Sequence, residues 1–270
     1  MAAVVLVDDH HGVVGRSVGS LAALPADLPR AALVGGLAVM VRLQEAHRVT
    51  TDFDEVTDER EATIAVLLEE GAERTPNGVR FVERGVRLDL LDAGIDLADL
   101  QGLADRRGLA GSVDDDLERA AVQLAFVNRY ALETAEPTRI LVCADRTGER
   151  VVAEVSLPVG RAGALVAMKV HAAGQRDRRP DKAASDSYDA YRLIRAWGPS
   201  AVAADLSRAP VAMLAGTIEQ VRRLFVDDVE RTVRRLRSAS VPGVESVDLD
   251  DLLEAGSVVD ALTPFLHWDG

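Results

Sequence analysis

The sequence predicts an α+β fold, with a small mixed sheet followed by a helical C-terminal half. Short segments with the alternation typical of strands concentrate before about residue 157. From Arg161 onward, apolar residues recur at helical spacing over nearly all of the remaining chain. Strands that precede helices in this way are typical of an α+β or mixed domain. We therefore expect an α/β lobe over residues 1–157 and a mainly helical lobe over 158–270, which need not fold independently.

Strands are predicted in the first lobe by short apolar or alternating runs. They lie at 3–7, 31–34, 51–56, 79–82, 86–91, 139–143 and 151–157. Turn-like residues separate several of them, notably Gly35-Gly36, Glu83–Gly85 and the segment DRTGE before the last strand. In the strand at 86–91, apolar residues alternate with Arg87 and Asp89, which predicts one buried face and one exposed or functional face.

Helices are predicted between and after these strands. In the first lobe they lie at 12–23, 37–44, 59–70 and over most of 93–136. In the second lobe they lie at 161–172, 182–196 and 208–237, with shorter helices to the end. With 270 residues and 48% apolar composition, the chain can bury a sizeable core.

Composition limits the classes of protein that the chain can represent. The net charge of −13 speaks against a broad nucleic-acid-binding surface, because phosphate binding needs local positive charge. Basic residues cluster at 176–182 and 231–237, so a local basic groove and solvated helix faces both stay open. No apolar run approaches the roughly 18 residues of a membrane span, and no signal peptide is evident. Because the single Cys143 excludes an internal disulfide, we expect a cytoplasmic protein.

The segment 33–54, LVGGLAVMVRLQEAHRVTTDFD, is the part of the chain that points to chemistry. A strand ends at Gly35 and Gly36, and a helix follows at once. Glycine lets backbone N–H groups approach a ligand closely, and a helix N-terminus favours phosphate. The next strand carries Asp52 and Asp54, which the two-residue period of a strand places on one face.

Two carboxylates side by side repel each other unless a cation lies between them. Magnesium, or manganese in its place, is the expected cation, because it prefers oxygen ligands and bridges to substrate phosphates. A phosphate-binding turn beside such a metal site suits attack on the α-phosphate of a nucleoside triphosphate. An exposed strand end, with Asp54 capping a turn, is the alternative interpretation.

Strand, Gly-Gly, helix and Asp-x-Asp in this order resemble the polymerase-β-like nucleotidyltransferase superfamily. The fuller string Arg48-x-Thr50-x-Asp52-Phe53-Asp54 resembles its AbiEii/AbiGii branch, which includes nucleotidyltransferase toxins of toxin–antitoxin pairs. A second stretch, LVAMKVHAAGQRDRRPDKAASDSYDAYRL at 165–193, resembles a later motif of that branch. There Lys169, Arg176, Asp186 and Asp189 match a lysine-bearing helix, an arginine-rich loop and an Asp-x-x-Asp pair. The resemblance covers roughly residues 30–195.

The resemblance implies a role for each matching residue. Asp52 and Asp54 would be metal ligands, and Asp89 on a neighbouring strand would complete the metal site or act as general base. The nucleotide would be bound by Gly35, Gly36, Arg48, Thr50, Lys169 and Arg176. Asp186 or Asp189 would contribute to the site by orienting Lys169 or the acceptor. The helical lobe would thus contribute to the active-site cleft.

Several of these residues also have a plain structural interpretation. Asp89 fits a solvent-facing strand residue, and Lys169 fits a surface lysine. Asp186 and Asp189 fit acids favoured at a helix N-terminus. Arg176, with Arg178 and Arg179, fits a solvated loop.

The function that the resemblance implies is that of a toxin-type nucleotidyltransferase. It would transfer a nucleoside monophosphate from a magnesium-bound triphosphate to RNA, notably the 3′ end of tRNA, and a cognate antitoxin would be its protein partner. The acidic composition also suits a cationic small acceptor such as an aminoglycoside, and a protein hydroxyl is a further alternative. A third possibility is a non-catalytic binding protein of a two-gene module, although the presence of both Asp52 and Asp54 argues against it.

Overall fold

The computed structural model describes residues 3–8, 12–25, 28–46, 52–107, 116–175, 179–239 and 243–267. The chain divides into two units, and each unit consists of two separate segments of the sequence. Met1–Gly94 and Ala131–Arg161 form the sheet unit, whereas Ile95–Tyr130 and Ala162–Gly270 form the helical unit. A single boundary near residue 157 therefore does not describe this division, because the segment 95–130 belongs with the C-terminal half.

The sheet unit is built on a mixed sheet of eight strands. They are β1 (Ala3–Val7), β2 (Ala31–Val34), β3 (Asp52–Thr57), β4 (Glu73–Thr75), β5 (Gly78–Phe81), β6 (Val86–Asp92), β7 (Glu136–Cys143) and β8 (Val151–Val159). Their order across the sheet is β1-β7-β8-β2-β3-β6-β5-β4. The pairs β1–β7, β8–β2 and β3–β6 are parallel, and the other neighbours are antiparallel. This mixed α/β architecture is compatible with the predicted α+β class, but the sheet is larger than expected.

Among its described residues, this unit contains the helices α1 (Val13–Ala22), α2 (Gly35–Leu43) and α3 (Arg60–Glu69). The sheet alternates as predicted, since Val86, Leu88 and Leu90 of β6 are buried while Arg87 and Asp89 are partly exposed. Arg42 of α2 ties this helix to the end of β8. Its guanidinium donates to the carbonyl oxygens of Val159 at 2.7 Å and Gly160 at 2.8 Å. These two hydrogen bonds fix the position of α2 directly after β2.

The helical unit contains nine α-helices in the described residues. They are α4 (Leu97–Arg107), α5 (Asp116–Thr134), α6 (Ala162–Gln175), α7 (Pro180–Trp197), α8 (Pro199–Leu206), α9 (Val211–Arg222), α10 (Val229–Ser238), α11 (Leu249–Gly256) and α12 (Val258–Leu262). A π-turn at Arg223–Asp227 joins α9 to α10, and 3₁₀ turns lie at Val244–Ser246 and Thr263–His267. Helix α6 is buried on almost all sides and forms the centre of this unit. No described helix is long and apolar enough to cross a membrane.

The structure differs from the predicted elements at several places, including α8, which was not predicted. Strand β4 was not predicted, because ERT has no apolar pattern and is a strand only through its pairing with β5. The helix expected over 93–136 begins at Leu97, since the Asp96 carboxylate accepts a hydrogen bond from Asp99 N–H and caps it. The helix expected over 208–237 begins at Val211 and is interrupted by the π-turn.

Candidate active site

The predicted carboxylates lie on adjacent parallel strands of the sheet unit. Asp54 of β3 is the register partner of Asp89 of β6, and Asp52 is the partner of Arg87. All four side chains are partly exposed, whereas the intervening Phe53 is buried. Asp52, Asp54 and Asp89 therefore share one accessible face of the sheet, as the two-residue period requires.

Gly35 lies directly against the side chain of Asp54. Its φ of +68° is in the left-handed region, which favours glycine. A Cβ at this position would lie 1.9 Å from Oδ2 of Asp54, so only glycine fits here without a shift. The Gly35-Gly36 turn thus brings the N-terminus of α2 beside a carboxylate, where the helix dipole favours negative charge.

The first turn of α2 has backbone donors that no side chain satisfies at its N-cap, since Val34 occupies that position. The first N–H groups of a helix have no partner within the helix and are suited to bind oxyanions. Asp54 is paired in register with Val34 across β2 and β3. The helix-end donors and the Asp54 carboxylate consequently lie at the same end of β2.

Asp52 and Asp54 have the oxygen ligands that a divalent metal prefers. Among the described residues, no group of three or more carboxylate, histidine or cysteine side chains could hold a metal ion. Magnesium is commonly bound by one or two carboxylates together with substrate phosphates. At Gly35 it is backbone rather than a side chain that lies beside the Asp54 carboxylate.

Asp89 is engaged by a neighbour on its own strand. Arg87 Nε donates to Asp89 Oδ1 at 2.7 Å, and the Asp89 side chain keeps 19% of its exposure. The structure therefore places Asp89 beside Asp54, with its carboxylate in an ion pair. The i, i+2 spacing of Arg87 and Asp89 was the sequence signal for this pair.

Glu55 is a buried acid that lies outside the predicted motif residues. It faces away from Asp54 because it is the next residue of β3, and its register partners are Leu33 and Leu90. Burial among these apolar neighbours raises its pKa from 4.5 to about 7. In the sequence, Glu55 was recognisable only as a glutamate on the apolar side of the alternating strand β3.

A second group of charged residues lies within the helical unit and is centred on Lys169. Its Nζ lies 2.8 Å from Asp186 Oδ1 and 2.8 Å from Asp189 Oδ2. The lysine side chain is 9% exposed, and the two carboxylates are 7% and 0% exposed. Lys169 is therefore a buried lysine rather than a surface one, and both aspartates contact it.

The geometry of helices explains this cluster. Asp186 and Asp189 are three residues apart on α7, so they face the same side, towards α6. Lys169 occupies one position on α6 that is otherwise apolar in its neighbourhood. Burying one ammonium between two carboxylates satisfies its charge, since an unpaired buried charge is costly.

His171 follows on the same helix and was also missed. It is 3% exposed, and burial, followed by the charges of Arg223 and Arg119, lowers its pKa from 6.5 to about 4. Its Nε2 lies 3.4 Å from the Thr217 hydroxyl, which marks it as a neutral core histidine. The predicted residues Arg48, Thr50, Arg176 and Arg178 lie outside the described residues. Arg179 is described and is exposed.

A comparison with protein families agrees with the motifs. A family model described as "Nucleotidyl transferase AbiEii toxin, Type IV TA system" matches residues 20–255. The match includes Gly35, the carboxylates of β3 and the Lys169 cluster, and it confirms the resemblance found in the sequence. No curated protein and no solved structure matches the chain. The chain belongs to the AbiEii family of nucleotidyltransferase toxins of type IV toxin–antitoxin systems.

Proposed function

We propose that this protein transfers a nucleoside monophosphate from a magnesium- or manganese-bound nucleoside triphosphate to RNA. The observation that carries the proposal is the contact between Gly35 and Asp54. It combines a metal ligand with a glycine turn and a helix N-terminus, which is the combination that a metal–triphosphate complex needs. A polymerase-β-like arrangement of the core is part of the proposal.

The residues of this chain divide the chemistry between them. Asp52 and Asp54 hold the metal, and the N–H groups at the start of α2 bind the phosphates. When bound, the metal neutralises negative charge on the phosphate oxygens. The acceptor hydroxyl attacks the α-phosphorus, a new P–O bond forms, and the bond to pyrophosphate breaks. Asp89 is our candidate for taking the proton of that hydroxyl, or for completing the metal site.

Lys169 is our candidate for binding triphosphate oxygens, and this role comes from the family resemblance. In the structure its ammonium is shared between Asp186 and Asp189, so one of these acids can position it. We retain Gly36, Arg48, Thr50 and Arg176 as nucleotide-binding candidates on the same basis.

The acceptor is proposed from the family resemblance, and the protein partner from membership of a toxin–antitoxin family. We propose that RNA, most specifically the 3′ end of tRNA, receives the nucleotide in the cytoplasm. A toxin of a toxin–antitoxin system has an antitoxin partner, and we propose a cognate protein encoded beside it. An acidic chain with a net charge of −13 favours a second candidate, a cationic small molecule, as acceptor.

The test is to incubate the protein with each of the four α-labelled triphosphates, magnesium and total RNA. We expect label in RNA, with loss of at least about a hundredfold in Asp52→Asn and Asp54→Asn and after chelation of the metal. Glu70→Gln is the matched control, because Glu70 is an exposed acid of the same unit. Unchanged transfer in folded Asp54→Asn would overturn the proposed metal site. Label in a small molecule or protein, with none in RNA, would overturn the acceptor.

A further inference from the structure

A small cavity in the helical unit is lined by three arginines. Arg223 belongs to the π-turn, and Arg231 and Arg235 lie four residues apart on one side of α10. The remaining lining residues are Ala173, Leu224, Asp228 and Thr232. Three guanidinium groups against one carboxylate make this cavity positive in a chain whose overall charge is −13.

The π-turn explains how the arginines meet. The N–H of Asp228 donates to the carbonyl of Arg223 at 2.9 Å, which is the i to i+5 bond of a π-turn. Arg223 and Leu224 of the turn thereby line the same cavity as Arg231 and Arg235 of α10. Single π-turns of this kind occur frequently at functional sites.

Helix α6 leaves space for the Arg223 side chain. A Cβ on Gly174 would lie 2.3 Å from Arg223 Nη2, so the guanidinium passes over a glycine. The charge of Arg223 also contributes to the low pKa of the buried His171 on α6. Both observations place the positive end of Arg223 at α6, beside Ala173 of the cavity wall.

The size of the cavity limits its ligand. Its volume is about 50 Å³. A nucleoside needs several times that volume, because pockets for small organic ligands measure roughly 300–1,000 Å³. A single phosphate group fits, and guanidinium groups bind phosphate oxygens in pairs of hydrogen bonds. The ligand is therefore a phosphate whose attached groups stay outside the cavity.

We propose that Arg223, Arg231 and Arg235 form a binding site for one phosphate of a polynucleotide backbone. Arg222 and Arg237 are further exposed basic residues close to this cavity in sequence. This choice of ligand rests on the proposed RNA acceptor. The site itself is independent of the carboxylates, since all of its residues belong to the helical unit.

The test measures binding of a fluorescent 20-nucleotide RNA in EDTA without triphosphate, so that neither metal nor catalysis contributes. We expect Arg231→Gln and Arg235→Gln to weaken binding on the order of fivefold or more, with the salt dependence of log K reduced by about one. Arg231→Lys keeps the charge but loses the paired hydrogen bonds. Its affinity for RNA should therefore lie between those of the wild type and Arg231→Gln. Thermal unfolding of each variant verifies that it is folded.

Arg234→Gln is the matched control on the same helix. Arg234 faces solvent, where it pairs with Glu230 at 3.5 Å, and it does not line the cavity. Equal weakening by Arg234→Gln and Arg231→Gln would overturn the site, because it would show only the general charge of α10. Undiminished RNA binding in Arg231→Gln and Arg235→Gln would also overturn it.

Two further measurements distinguish this site from the proposed function, and a polynucleotide from free phosphate as its ligand. In transfer assays we expect Arg231→Gln to raise KM for RNA and leave kcat unchanged. RNA binding that depends on the arginines, in a protein with no transfer activity, supports the site and overturns only the proposed function. Titration with inorganic phosphate that depends on Arg231, together with no RNA binding, would overturn the polynucleotide as ligand.

Discussion

Gly35 and Asp54 show what single residues contribute to the candidate site. The spacing of Asp52 and Asp54 is local, so their common face follows from strand geometry alone. That Gly35 has a positive φ and lies against Asp54 depends on how β2 and β3 pair. The glycine motif predicted a close approach of the backbone to a ligand, whereas the contact of Gly35 with the Asp54 side chain was not predicted.

We predict that Gly35→Ala disables the site. Alanine would place its Cβ against Asp54 Oδ2 and adopt a left-handed φ, at a cost of roughly 2–4 kcal/mol in unfolding free energy. Displacement of Asp54 should lower transfer at least about tenfold. Urea unfolding and the RNA labelling assay measure both effects.

Gly71→Ala is the control for Gly35→Ala. Gly71 has a φ of +85°, and a Cβ there would meet nothing within 4 Å. It shares the backbone cost of roughly 1 kcal/mol without the clash, so activity should be normal. Equal loss of activity in both variants would contradict the role given to the contact between Gly35 and Asp54.

Glu55 makes stability depend on pH. Its carboxyl group has a pKa of about 7 when folded and 4.5 as its ordinary value. Between these values the folded state binds more protons, so the free energy of unfolding falls as pH rises from 4.5 through 7. The full effect is about 3 kcal/mol. Glu55→Gln cannot ionise. We therefore predict that its free energy of unfolding, relative to that of the wild type, increases by about 3 kcal/mol between pH 4.5 and 8.

Urea unfolding of both proteins across this range measures the difference. His171 acts in the opposite direction, since its pKa falls from 6.5 to about 4 and stability is lost as pH falls through that interval. Because both chains contain His171, its contribution cancels. A difference that does not change with pH would show that Glu55 is ionised at neutral pH in the fold.

At the scale of elements, α6 and α7 are joined by a buried charge cluster. The helical spacing of Asp186 and Asp189 was readable from the sequence, and so was the apolar setting of Lys169. Whether one or both aspartates contact the lysine depends on how the two helices pack. In the structure both aspartates contact the Lys169 ammonium, each at 2.8 Å.

We predict that Lys169→Met destabilises the protein by about 3–5 kcal/mol, because two carboxylates would stay buried without their cation. The variant in which Lys169→Met is combined with Asp186→Asn and Asp189→Asn should recover much of this loss. Lys182→Met is the control, since Lys182 is an exposed lysine of α7. Denaturant unfolding measures all three.

Activity separates a structural Lys169 from a functional one. If the lysine serves the reaction, the neutral triple variant is folded and inactive. Normal transfer by the folded triple variant would contradict a role in triphosphate binding and leave the cluster a structural one.

At the scale of the whole molecule, α5 connects distant parts of the helical unit. Tyr130 donates to the Asp205 carbonyl at 2.5 Å, and Gln123 donates to the Ala212 carbonyl at 3.0 Å. Arg119 pairs with Glu219, and Phe126 is fully buried. These partners lie about 75 to 100 residues away in sequence, so no local pattern could assign α5 to them.

We predict that a fragment of residues 1–157 does not protect α5. It would contain the helix but lack Asp205, Ala212 and Glu219, so its apolar face would have no partner. Amide hydrogen exchange in peptides from 118–130 should be fast in the fragment and slow in the full chain. Equal protection in both would contradict the assignment of 95–130 to the helical unit.

The sequence by itself determined the α+β class, the period-two face that carries Asp52 and Asp54, and the family motifs. These properties depend on residues close together in the chain, where strand and helix periods set which side chains share a face. Only the tertiary structure decided the contact of Gly35 with Asp54, the ion pair that engages Asp89 and the double pairing of Lys169. It also decided that residues 95–130 belong with the C-terminal half, because packing of apolar faces joins segments without regard to their separation in sequence.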